Sequence, residues 1–289
     1  MTGNKIQKLD NGRVIVRPDF LAVLQANSLD TFEKIMAYRG GRVMRSVPGR
    51  STVRIELNRP DGRRLVAYLK RYEREYLSFG KNLRRLLRWP GADDEALHEW
   101  NAIGQLRASG FNTADPIAVG QKKKCGAVKR SFLLTAEIIG GIAAHDYTRT
   151  LDAKGRRELL RHIAPLTRRF HEAGFAHKDY YLSHIFVVTV PVAGPQLFFI
   201  DLQRLVRPRF LSGYWLVKDL AALGYSGQLA GATRADMLCF YKACLGRQRL
   251  TSRDRRRIGR IMARVNALHR RGPKYDVIWD EPGVRPRNV

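Results

Sequence analysis

Apolar and polar residues alternate with period two through much of the chain before residue 140. A short helical segment at 31–38, "TFEKIMAY", comes first. The stretches "RVMRS", "STVRIEL" and "RRLVAYLKRY" then alternate and are rich in β-branched residues, as strands are. Between them stand the turn formers "VPGR" and "NRPDG", so the pattern predicts a three-stranded antiparallel meander. A helix follows at "DDEALHEWNAIGQLRASG". It has an acidic first turn, Leu97, Trp100, Ile103 and Leu106 at helical spacing, and Gly110 beyond its end. "PIAVGQKK" and "RSFLLTAEII" read as two more strands, the second apolar enough to be central.

Near residue 140 the period changes. "GGIAAHDY" is a loop leading into helical sequence. In "DAKGRRELLRHIAPLTRRFHEAG" the residues Leu159, Leu160, Ile163, Leu166 and Phe170 mark one face of a long amphipathic helix, which Gly174 is placed to stop. Two strands, "HIFVVTV" and "QLFFID", flank a Gly-Pro turn, and mainly helical sequence runs on to about residue 271. The expected fold class is therefore α+β and bilobal. Residues 1–30 read as an N-terminal extension and 31–139 as a small antiparallel-sheet lobe with one helix. Residues 140–289 read as a larger, mainly helical lobe, with a hinge at "IIGGIAA". No internal repeat or low-complexity tract interrupts this order.

Composition narrows the class. With 289 residues, 44% of them apolar and 9% aromatic, the chain can bury a large core, which excludes a disordered protein. Charge changes the picture more: 53 Lys and Arg against 26 Asp and Glu leave a net +27. Such a field favours a polyanionic partner, whether nucleic acid, an anionic membrane, a phosphorylated glycolipid or an acidic protein. Two segments concentrate it, "KNLRRLLRW" at 81–89 and "RDRRRIGRIMARVNALHRR" at 253–271. In the second, Ile258, Ile261, Met262, Val265 and Leu268 form a stripe. That pattern suits a packed helix with a solvated basic face, and it suits attraction to an anionic surface equally. Cys125, Cys239 and Cys244 match neither a redox pair nor zinc spacing, and are expected to be buried thiols in a reducing compartment. The first thirty residues hold no continuous apolar region, and no run approaches the roughly 20 residues of a membrane span. A soluble or peripheral protein is expected.

The stretch "FAHKDYYLSHIFVV" at 175–188 sets an aspartate between two histidines. A zinc reading lacks ligands, because zinc takes three or four and the cysteines lie far away in sequence. Phosphoryl transfer needs a cation on the phosphates, a carboxylate for Mg²⁺ and a second carboxylate near the incoming hydroxyl. Lys70, Asp201 and Asp179 are candidates, with Glu99 in the helix after Lys70. Taken singly, Lys70 is one lysine among many and Glu99 an ordinary helix carboxylate; the order Lys, Glu, Asp, Asp raises them above that.

That order resembles the protein-kinase-like fold, and the strings "HKDYYLSHIFV", "FFIDLQR", "DDEALHEWNAIGQLRASGFNT", "RSFLLTAEI" and "KDLAALGYSG" resemble the lipopolysaccharide core kinase (Kdo/WaaP) family over residues 31–245. The resemblance implies Asp179 as the catalytic carboxylate, Asp201 as the main Mg²⁺ ligand, and Lys70 as the grip on the ATP phosphates, held by Glu99. It groups Arg50, Ser51, Glu137 and His184 with Lys70 at the nucleotide, sets His184 beside the metal, and gives Asp219 a supporting role under the catalytic turn. Three departures stand out: His184 stands where protein kinases have the Asn of the second metal, and a neutral imidazole, a poor Mg²⁺ ligand, suits a hydrogen bond to phosphate or water instead; Asp201-Leu202-Gln203 replaces Asp-Phe-Gly; and "SVPGRS" has one glycine where protein kinases have three, leaving Arg50 and the backbone of 49–51 to compensate.

The implied activity is ATP- and Mg²⁺-dependent phosphorylation of a sugar hydroxyl, a heptose of the lipopolysaccharide inner core. The implied acceptor is a lipid A-linked oligosaccharide, and the implied place is the anionic cytoplasmic face of the inner membrane, with the protein peripheral. Nucleic acid is not expected, since no aromatic-rich RNA-binding signature occurs. The rivals are the same fold acting on Kdo, another small molecule or a protein hydroxyl, and a non-catalytic, polyanion-binding pseudokinase.

Overall fold

The computed structural model describes residues 6–73, 94–191, 194–210 and 212–271, so the segment "KNLRRLLRW" lies outside the described residues. Two compact units make up the chain. The first takes in the described residues up to Gln105 together with Ala114–Glu137; the second takes in Leu106–Thr113 and the described residues from Ile138 onward.

In the first unit, strands β1 (Gln7–Leu9), β2 (Val14–Val16), β3 (Arg42–Val47), β4 (Arg50–Asn58) and β5 (Arg64–Glu73) join β7 (Pro116–Lys124) and β8 (Ala127–Ala136). The two-residue strand β6 (Asn112–Thr113) belongs to the second unit. The seven form one antiparallel sheet in the order β1-β2-β7-β8-β5-β4-β3. The predicted meander is β3-β4-β5, and the apolar β8 is the middle strand. Val53, Ile55, Leu57, Ala67, Leu69, Phe132 and Leu134 share one face. They pack with Val23 and Leu24 of α1 (Leu21–Ala26) and Phe32, Ile35 and Met36 of α2 (Phe32–Ala37). Val14, Val16 and Leu29 join the same core, so residues 7–30 are built into this unit, where the sequence suggested an extension. Three-residue strands are too short for alternation to show.

Helix α3 (Glu95–Ala108) starts where predicted, because the Asp94 carboxylate accepts the N–H groups of Ala96 and Leu97 at 3.0 and 3.1 Å. Gly110, at φ +78°, carries the chain out of it.

The second unit holds a four-stranded sheet in the order β6-β11-β10-β9, with β9 at Ile142–Ala143, β10 at Ile185–Val190 and β11 at Gly194–Phe199. Its helices are α4 (Ala144–Arg149), α5 (Ala153–Glu172), α6 (Ser212–Leu229), α7 (Arg234–Leu245) and α8 (Ser252–Arg271). Asp152 caps α5 through Gly155 N–H at 2.7 Å, and a reciprocal Thr233–Asp236 capping box starts α7. The predicted face of α5 turns inward at Leu159, Ile163 and Phe170, and Phe170 sits among the rings of Phe111, Phe175, Tyr180 and Phe199. Ile261 and Val265 of α8 pack on Val217, Leu220 and Ala221 of α6, which leaves the arginines of α8 largely on its outer side. Of the three thiols expected to be buried, only Cys244 is; Cys125, in the β7–β8 turn, and Cys239, on the outside of α7, are exposed.

Candidate active site

Strand alternation places Lys70 of β5 on the sheet face opposite its neighbour Leu69, which is in the core. Its ammonium meets the Glu99 carboxylate of α3 at 2.7 Å, and the Tyr72 hydroxyl donates to the other carboxylate oxygen at 3.4 Å. Glu99 is 3% exposed. A carboxylate buried that deeply is tolerated in the charged form because a cation is hydrogen-bonded to it.

The β4–β5 register pairs Arg50 with Tyr72 and Thr52 with Lys70, while Ser51 pairs with Arg71. Directly paired residues share a face, so Arg50, whose guanidinium lies 5.3 Å over the Tyr72 ring, is on the Lys70 side. The Ser51 side chain is on the other side, so it is the backbone of Ser51, not its hydroxyl, that lies beside Arg50. Glu137, just after β8, joins the Lys70 face: its carboxylate accepts from Arg54 Nε at 3.1 Å and from the Tyr68 hydroxyl at 3.2 Å.

In the second unit the chain leaves α5 at Gly174 (φ +80°) and enters the turn that carries "HKD". Both oxygens of the Asp219 carboxylate bind this turn, taking the N–H of His177 at 2.8 Å and of Lys178 at 2.9 Å. Lys178, at φ +69°, pays a backbone strain that those bonds help to hold. Asp219 is fully buried; burial pushes its carboxyl up to about 6, although the two N–H donors pull the other way. His177 is also fully buried and contacts the Ile200 carbonyl at 3.2 Å. Desolvation lowers its imidazole to about 3, so it is a neutral buttress under the turn.

Past the turn, Asp179 faces outward, and Arg204 grips both its oxygens at 2.8 and 3.0 Å. His184 Nδ1 lies 2.7 Å from the Asp179 backbone carbonyl. A carbonyl can only accept, so Nδ1 carries a proton here and Nε2 is the ring nitrogen left for other contacts. That Nε2 points at the Asp201 carboxylate, 3.7 Å away. Asp201, at the end of the β10–β11 hairpin, is held in the left-handed region at φ +55°. The hairpin thus brings Asp179, His184, Asp201 and Arg204 to one mouth.

The Asp201 carboxylate is an oxygen ligand of the kind a hard cation takes, whereas the imidazole nitrogen beside it is a poor ligand for Mg²⁺. Mg²⁺ takes one or two carboxylates and fills its other positions with water and phosphate oxygens, so it needs no protein cage. Among the described residues no group of three or more His, Cys, Asp or Glu side chains forms one.

Sequence reasoning missed Arg204. The signal was in "FFIDLQR", but an exposed arginine in a chain this basic shows its contact to Asp179 only once the hairpin is folded. The histidines read as surface or packing residues include His171, which is almost fully buried beside Asp219 and lowered by desolvation to about 4.

An α+β chain with a sheet-borne lysine salt-bridged to a helix glutamate, a carboxylate-pinned His-Lys-Asp turn and an aspartate ending the following hairpin is a protein-kinase-like phosphotransferase. The particular group follows from comparison: the sequence profile of the lipopolysaccharide kinase (Kdo/WaaP) family matches residues 35–244, and the chain belongs to that family. It is 30% identical over 230 residues to the lipopolysaccharide core heptose(I) kinase WaaP of Escherichia coli, covering 74% of this chain and 80% of that one. The Pseudomonas aeruginosa protein of the same name is 31% identical over 224 residues, covering 75% and 81%. A solved structure of WaaP in complex with acyl carrier protein superposes with a TM-score of 0.65 at 27% identity, over 88% of this chain and 97% of that one. As a kinase of this family the protein uses ATP. No helix among the described residues is long and apolar enough to cross a membrane.

Proposed function

We propose that this kinase transfers the γ-phosphoryl group of ATP to a heptose hydroxyl in the lipopolysaccharide inner core. The observation that carries the reading is the hairpin mouth, where Asp179 stands on a turn pinned by Asp219, beside the Asp201–His184 pair. The names of the relatives supply the heptose.

Asp179 accepts a hydrogen bond from the acceptor hydroxyl, orients its oxygen and takes its proton as the new P–O bond forms. Arg204 fixes the direction of that carboxylate. Lys70, held straight by Glu99, and Arg50 grip the nucleotide phosphates. Glu137 lies on the same face, where its carboxylate holds Arg54 and Tyr68. Asp201 would hold Mg²⁺, which when bound would supply positive charge to the phosphate oxygens, with His184 beside it to hydrogen-bond a phosphate or water. Each contribution is positioning or electrostatics, as phosphoryl transfer requires.

The +27 charge and the basic outer side of α8 support peripheral attachment to the anionic cytoplasmic face of the inner membrane, where a lipid A-linked acceptor would be met. A solved relative forms a complex with acyl carrier protein, which joins the partners proposed for this chain.

Labelled ATP and deacylated core oligosaccharide test the assignment. Asp179→Asn and Asp201→Asn should each lower transfer by at least about a hundredfold with melting temperatures near wild type. Wild-type rates in a folded double variant would overturn it.

A further inference from the structure

Directly paired residues of neighbouring strands share a face, and the β3–β4 and β4–β5 registers line up Ser46, Ser51 and Arg71 in one row across three strands. The next member of the row is Phe132 of β8, a buried core residue. The row therefore lies on the core face of the sheet, opposite Lys70. Towards the β3 edge the apolar core gives way to two hydroxyls and a guanidinium. These line a cavity of about 510 Å³ within the first unit, whose walls also include Tyr38, Arg39 and the 55% exposed Val43.

Arg71 is 6% exposed. Its Nη2 donates to the carbonyls of Ile35 and Tyr38 at the end of α2, and its Nε has no hydrogen-bond partner. Arg39 covers the same helix end, its Nη1 donating to the Met36 carbonyl at 3.1 Å and the Tyr38 carbonyl at 3.4 Å. One cation suffices to complement those carbonyl dipoles, whereas two guanidiniums there repel each other. Burial pulls Arg71 below the ordinary arginine value, and the charge of Arg39 adds to the pull. Glu73, two residues along the same face, opposes this with its field, but among the described residues no carboxylate forms an ion pair with Arg71. A buried charge left without a paired carboxylate is costly, and an anion in the cavity would relieve it.

We infer that this cavity is a phosphate-monoester site on the back of the first unit's sheet, where Arg71 and Arg39 neutralise the anion and the Ser46 and Ser51 hydroxyls donate to its oxygens. Guanidinium suits phosphate because its planar N–H groups meet two oxygens at once, and a hydroxyl bonds an anion more strongly than a neutral acceptor. Neighbouring strands stand roughly 4.8 Å apart, so two hydroxyls in one row can meet two oxygens of one phosphate. Val43 and Tyr38 give the organic part of an ester an apolar wall. The site faces away from Lys70 and is independent of which sugar the kinase phosphorylates. Filled, it ties β3 and β4 to β5 and to the chain after α2, behind the hairpin that carries Arg50.

Titration of the full chain with inorganic phosphate, with the nucleotide site filled by Mg²⁺ and a non-hydrolysable ATP analogue, tests the site. Phosphate should raise the melting temperature more than chloride at equal ionic strength, because a ligand of the native state stabilises it. The double variant Arg39→Gln, Ser46→Ala changes only exposed side chains and should bind phosphate at least about tenfold more weakly. Hydrogen exchange of the wild-type protein gives a readout free of any variant: phosphate should slow the amides of residues 38–51. Dihexanoyl phosphatidic acid, set against inorganic phosphate and dihexanoyl phosphatidylcholine, tells the source. Tighter binding than phosphate assigns the site to a lipid ester, and equal binding to a free phosphate compound. No gain over chloride, equal phosphate binding by the double variant, or protection confined to residues 177–205 would overturn the site. Transfer by Asp179→Asn would count against the kinase reading and leave this site standing.

Discussion

Lys70 and Glu99 show how one pair ties stability to activity. Lys70→Met leaves a carboxylate that is 3% exposed facing a thioether, at a cost of about 3 kcal/mol. Adding Glu99→Gln removes the stranded charge and should restore most of that stability. Urea unfolding of the single and double variants reads the difference, and neither should transfer phosphate. His171 makes a second prediction, about pH. Its imidazole Nε2 is 3.7 Å from the Asp219 carboxylate, yet burial wins and holds it down to about 4 from the usual 6.5. The folded protein therefore binds fewer protons there than the unfolded chain does. The stability from this group is complete above pH 6.5 and drains away as pH falls towards 4, by about 3 kcal/mol across the window. A His171→Leu variant should lose less stability than wild type between pH 7 and pH 4.5, by denaturant midpoints. At this scale the sequence offered Lys70, Glu99, Asp179 and Asp201 as candidates by their order, and the structure pairs Lys70 with Glu99. It did not disclose Arg204, whose contact to Asp179 joins separate elements.

Among elements, the long periodic segments were legible and the short ones were not. The meander β3-β4-β5, the strands β7 and β8, the hairpin β10-β11 and the helices α3 and α5 all stand where alternation or helical spacing put them. By contrast β1, β2, β6 and β9 have two or three residues each, too few for a period, and exist because a neighbouring strand offers open hydrogen-bonding groups. Register, too, was invisible from sequence. It separates Arg50 from Ser51 by face, and it sets Gly120 of β7 directly against Phe132 of β8. A β-carbon at Gly120 would overlap the Phe132 ring, which is fully buried. Gly120→Ala should therefore destabilise the protein by about 1–3 kcal/mol by thermal unfolding, through an overpacked core. The same change at Gly126, where a β-carbon meets open space, carries only the strain of its φ of +75°.

For the molecule as a whole, the +27 charge narrowed the partners to anions without choosing among them. The family and the hairpin mouth make that choice by supplying a phosphotransferase whose relatives act on lipopolysaccharide core. In the proposed reading a basic surface then has a plain use, because the nucleotide, the proposed acceptor and the proposed membrane face are all negatively charged. The account stands or falls on phosphoryl transfer from ATP to a core sugar by way of Asp179. Phosphorus-31 NMR of purified, deacylated core oligosaccharide after incubation with the protein, Mg²⁺ and ATP measures it directly. A new phosphomonoester resonance on a heptose, formed by the wild-type protein and not by Asp179→Asn, is the predicted result. A resonance formed equally by both, or none from a folded wild-type protein, would contradict it.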